Sequence, residues 1–158
     1  MHANTWHASG GFTVTGVLLG VLALAACGPA STTSSIAERF AAAVESAGRD
    51  HEPLTIADNT RSEWDRGVMV CPDDPVDAVE SLLGVRWRDA PSTDDDGVAY
   101  VVFAAGDGVV DAIRLDRSAV DPCSGTSLLS VRSFGPTTGV FRVDAVASGG
   151  GWTIGPSG

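Results

Sequence analysis

The amino-acid sequence predicts an α+β domain: an antiparallel sheet of about five strands with two helices on one face. Three observations carry this. Ile36, Phe40, Val44 and Ala47 fall four, four and three residues apart, the spacing of one buried helix face. A β-prone run at 66–71 leads straight into a second short helical pattern. From residue 98 onward, β-rich runs succeed one another across short glycine-containing turns.

The first helix is expected over 36–47. Ser35, Ile36, Ala37 and Glu38 read as a capping box, and Gly48 stands where a left-handed C-terminal cap is expected. Residues 49–63 are polar and weakly patterned, with a short strand expected at 54–57. Arg66 to Cys71 reads as a strand, and Asp74 and Pro75 as N-cap and first residue of the second helix. Val76, Val79 and Leu83 share a face of that helix before Gly84 ends it. Val85 to Arg88 reads as a further short strand, and Asp89 to Gly97 as an acidic loop. Val98–Ala104 and Val109–Asp116 flank Gly106, Asp107 and Gly108, a hairpin signal. The near-continuous apolar character of the first of these strands predicts a central position. After a loop at 117–126, strands are expected at 128–134, 140–147 and 152–154.

The greasy run ahead of this domain has a different character. Phe12 to Ala26 carries no charge and, as a helix, would reach about 22 Å, short of a hydrocarbon core of about 30 Å. It ends in Leu24, Ala25, Ala26, Cys27. This tetrad resembles the lipobox of bacterial lipoproteins, in which a type II signal peptidase cleaves ahead of the cysteine. The resemblance implies that residues 1–26 are a removed signal peptide and that the Cys27 thiolate accepts diacylglycerol. It also implies membrane attachment through that lipid, on the outer face of the cell membrane. The n-region departs from the usual pattern: it has His2 and His7 but no Lys or Arg. An uncleaved anchor and ordinary secretion are the competing readings. Residues 27–34 would then be the lipidated cysteine and a flexible Gly, Pro, Ser and Thr tether, and 35–158 a single domain. Removing 26 of 158 residues leaves 132, enough for one hydrophobic core.

Three cysteines would leave an odd thiol in an exported protein. With Cys27 lipidated, Cys71 and Cys123 remain as an even pair, for which a disulfide is the expected state. Two free thiols or a metal site are the alternatives, but the mature chain offers His51 alone and no CxxC pair.

All ten basic residues are Arg and follow Cys27, as do the twenty acids, so the net charge of -10 belongs to the domain. Such a surface repels nucleic acid. No cofactor, metal or catalytic residue is indicated. His51 lies in a polar stretch without a nucleophile signature, and Ser124 and Ser127 match no nucleophile elbow. Asp94, Asp95 and Asp96 suggest calcium, but a register starting at Ser92 puts Phe103 where an EF-hand needs glutamate. Asp73, Asp74 and Asp77 read as acids facing a helix dipole. Trp64, Trp87 and Trp152 read as core members before they read as a binding groove. Asp65 and Arg66 read as part of a partly buried polar network.

The expectation is therefore a lipid-anchored envelope protein whose domain is a binding or accessory module with an envelope protein partner. A secreted hydrolase using carboxylates and His51, and an inhibitor or immunity-like protein with an acidic binding face, are the alternatives.

Overall fold

The computed structural model describes residues 30–60, 63–124, 128–147 and 150–157. Two helices, α1 (Ala30–Asp50) and α2 (Val76–Leu83), accompany eight strands. These are β1 (Leu54–Thr55), β2 (Arg66–Val70), β3 (Val98–Ala105), β4 (Gly108–Asp116), β5 (Val120–Asp121), β6 (Ser133–Phe134), β7 (Val140–Ala145) and β8 (Trp152–Pro156). The α+β class holds, but the strands form two four-stranded sheets in place of one sheet of about five. One has the order β1-β7-β8-β5 and the other β4-β3-β2-β6. Every pairing is antiparallel except β5 with β8.

Side-chain alternation along the second sheet explains the layering. Met69, Val101, Phe103, Ile113 and Leu115 point to one face, where they meet Phe40 and Val44 of α1 and Leu54, Val120, Phe141, Val143 and Ile154 of the first sheet. Val68, Val70, Val102 and Ala104 point to the other, against Val79 and Leu83 of α2 and Val85 and Trp87 beyond it. The helices therefore cover opposite faces of the second sheet, a correction to the single shared face. The reason lies in β3 and β2: both are apolar at odd and even positions, so both faces need a cover. The central place expected for β3 follows from the same feature.

Helix α1 is longer than expected at both ends. Its helical backbone begins at Ala30, so Ser35 lies inside it rather than at the N-cap, and 30–34 are helix where a tether was expected. Once the buried Phe40 and Val44 nucleate the helix, each further Ser or Thr adds a hydrogen bond at a propensity cost of only a few tenths of a kcal/mol. At the other end the cap is His51, at φ 56°, and the Glu52 amide donates to the Ala47 carbonyl at 2.9 Å, closing a Schellman motif. Gly48 serves another purpose. A Cβ there would lie 2.2 Å from the Trp152 ring, so the glycine lets strand β8 approach the helix.

Helix α2 ends as expected, at Gly84 in the left-handed region with φ 67°. Its N-cap is Pro75, without a side-chain cap bond. Asp74 is engaged elsewhere, which corrects its expected capping role. The hairpin of β3 and β4 turns on Gly106 and Asp107, with Ala105 opposite Gly108. A bulge after Phe103 leaves Val110 without a partner and 44 % exposed. One expected strand is absent and another is cut short. Val85–Arg88 stays outside any ladder, and Leu129–Arg132 is a 3-10 turn with only Ser133–Phe134 joining β2.

Candidate functional site

Cys27 and the lipobox lie outside the described residues, as do Ser127 and the tether residues Gly28 and Pro29. Among the described residues, no helix is long and apolar enough to cross a membrane.

Cys71 and Cys123 are disulfide-bonded, with Cα atoms 5.8 Å apart. Cys71 follows β2 and Cys123 follows β5, so the bond staples one sheet to the other across 52 residues of sequence. Two polar networks hold its ends. At the first, the Cys71 amide donates to Asp74 at 2.6 Å, and Asp74 accepts two 2.8 Å bonds from Arg132. Arg132 is only 3 % exposed and also donates to the Met69 carbonyl at 3.2 Å. At the second, the Asp121 carboxylate accepts from Arg117 Nε at 3.0 Å, from the Cys123 amide at 2.8 Å and from the Ser124 hydroxyl. Burial pushes the Asp121 carboxyl up, but these three donors together outweigh it and hold the group below the usual carboxylate range. The hydrogen bond to Asp121 raises the Arg117 guanidinium in turn.

Arg117 also fixes the acidic loop, donating through Nη1 to the Asp96 carbonyl at 2.7 Å. On its other side Thr93 donates to the Asp74 carbonyl at 3.2 Å. The carboxylates of Asp94 and Asp95 accept from Ser92 and from the Gly97 amide. No group of three or more metal-ligating side chains converges among the described residues.

No family model, curated protein or solved structure matches the chain.

His51 is exposed and lines a cleft of about 320 Å³ with Glu52, Arg142, Asp144 and Ser157. Its ring makes no hydrogen bond among the described residues, and Asp144 is taken by Arg142 at 2.6 Å. The base-to-nucleophile and base-to-orienter bonds of a His-dependent hydrolase do not form there. The aromatic side chains are mostly core. Trp64 packs on Phe103 and Phe134 at 5.1 and 5.7 Å, and Trp87 meets Tyr100 edge-on at 6.1 Å.

A larger cleft, about 620 Å³, opens between the segment 84–89 and the tip of the β3–β4 hairpin. Arg86, Arg88, Asp89 and Asp107 line it. Its two walls are braced. Val85 and Trp87 are buried, so the alternating Arg86 and Arg88 face outward, and the Trp87 amide donates to Glu80 at 2.8 Å. On the hairpin side, Arg66 bonds Asp65 at 2.6 Å and the Gly106 carbonyl at 2.5 Å, while the Gly106 amide donates to Asp65 at 3.3 Å. The hydrogen bond from Arg66 lowers the Asp65 carboxyl. The Asp65–Arg66 network forms, but its hydrogen bonds are exposed and clamp the hairpin tip, a correction to the partly buried network expected. The Val85–Arg88 alternation was the one sequence signal for this cleft. Its opposite wall, 18 residues or more along the chain, left none.

Proposed function

We propose that the chain is a lipoprotein of the bacterial cell envelope, held at the outer face of the cytoplasmic membrane by acyl chains on Cys27. In this reading its α+β domain is a binding or accessory module. The Cys71–Cys123 disulfide is the observation that carries it. Structural disulfides belong to oxidising compartments outside the cytoplasm, and this one leaves Cys27 as the odd thiol, set in Leu24-Ala25-Ala26-Cys27. One acyl chain binds a membrane reversibly and two or three hold stably, so the lipidated cysteine suffices as an anchor. A module of this kind needs a rigid domain with a recessed polar surface, and the braced cleft between 84–89 and the hairpin tip supports that part.

The reading is tested by metabolic labelling and fractionation. Radiolabelled palmitate is expected to enter the chain, and Cys27→Ser is expected to lose both label and membrane. An unlabelled wild type, or a Cys27→Ser chain that stays equally membrane-bound, overturns it.

A further inference from the structure

The chain carries twice as many acids as arginines, and five arginines, Arg49, Arg66, Arg117, Arg132 and Arg142, form ion pairs. Arg86 and Arg88 do not, although Asp89 and Asp107 line the same cleft. None of these four side chains makes a hydrogen bond or ion pair among the described residues. One cleft therefore presents two free cations and two free anions on walls that are already held in place. Its volume, about 620 Å³, lies within the range of small-molecule sites.

The charges select the ligand class. A dianion such as phosphate would meet Arg86 and Arg88 but also Asp89 and Asp107, and a cationic molecule would meet the reverse. A molecule bearing one carboxylate and one ammonium satisfies both pairs. Guanidinium groups suit a carboxylate through paired, charge-assisted hydrogen bonds, and aspartates suit an ammonium. We propose that this cleft binds a small zwitterion of the amino-acid or short-peptide type. Its carboxylate is held by Arg86 and Arg88, and its ammonium by Asp89 and Asp107. The inference deepens the reading of the domain as a binding module and does not depend on the anchor.

Nuclear magnetic resonance titration of the full, isotope-labelled chain in detergent tests it, with glycylglycine as probe. Amides of 86–89 and 107–109 are expected to shift saturably. Arg86→Gln with Arg88→Gln is expected to weaken binding at least about tenfold, as loss of charged hydrogen bonds implies. N-acetylglycinamide, with both charges removed, keeps the test independent of any variant and is expected to give no saturable shift. Absence of shifts with glycylglycine overturns the proposal. So does equal binding of acetate, phosphate or N-acetylglycinamide, or wild-type affinity in the double variant. A chain that takes palmitate on Cys27 yet ignores glycylglycine loses this ligand and remains a lipoprotein.

Discussion

Arg132 and Asp74, 58 residues apart in sequence, meet in a two-pronged ion pair with both N–O distances at 2.8 Å and the arginine nearly sealed from solvent. The same carboxylate receives the Cys71 amide, so the pair sets the backbone beside the disulfide. Arg132 Nε is buried without a partner among the described residues, so the pair's satisfaction rests on Asp74 and the Met69 carbonyl.

Removing one side of a buried pair leaves an uncompensated charge. Asp74→Ala is expected to cost about 3–5 kcal/mol of folding stability. Replacing both with apolar residues, Asp74→Ala with Arg132→Met, is expected to cost less than Asp74→Ala alone. Urea denaturation of the wild type, Asp74→Ala and the double variant gives the comparison, and a double variant that loses as much as Asp74→Ala or more would contradict it.

The disulfide links strands of different sheets, and its loop of 52 residues corresponds to about 4 kcal/mol in the chain-entropy account. Cys71→Ala with Cys123→Ala is expected to lower the thermal midpoint strongly. Adding reductant should bring the wild type to the same midpoint and leave the variant unmoved.

Gly48 reverses an ordinary rule. Glycine to alanine inside a helix usually stabilises by about 1 kcal/mol. Here the new methyl would sit 2.2 Å from the Trp152 ring, so Gly48→Ala is expected to destabilise by about 1–3 kcal/mol. Pairing it with Trp152→Ala should restore the normal sign, read as a higher midpoint than Trp152→Ala alone.

Asp121 gives a pH dependence. Its carboxyl lies below the usual range when folded, so its contribution is complete above the unfolded value of about 3.9 and is lost as pH falls through the folded value. Asp121→Asn is expected to be less stable than wild type by about 1.5–3 kcal/mol at neutral pH. That gap should hold from pH 7 to about 5 and narrow below about pH 4. Chemical denaturation at several pH values checks it, and a gap that widens in acid would refute the sign.

How much of this was legible before folding depends on distance along the chain. The face of α1, the stop at Gly84 and the hairpin at Gly106 and Asp107 follow from spacing and turn chemistry, and the pairing of Cys71 with Cys123 follows from a count of three thiols once the lipobox resemblance assigns Cys27 to lipid. Those signals act within a few residues or concern the chain as a whole. The division into two sheets, the parallel pairing of Val120 with Trp152 and the union of Arg132 with Asp74 had no such signal. Asp74 looked like a helix cap because capping is a local rule, and a buried arginine arriving from 58 residues away outcompeted it. Leu129–Arg132 became a turn because carrying that guanidinium under β2 takes precedence over extending the ladder. The cleft is of the same kind: alternation alone turned Arg86 and Arg88 outward, but only the packing of α2 and the clamp of Arg66 on Gly106 set Asp107 across from them. Local propensity and periodicity determined most of the elements that form. Long-range burial of apolar faces and of a few charged groups decided how those elements are joined.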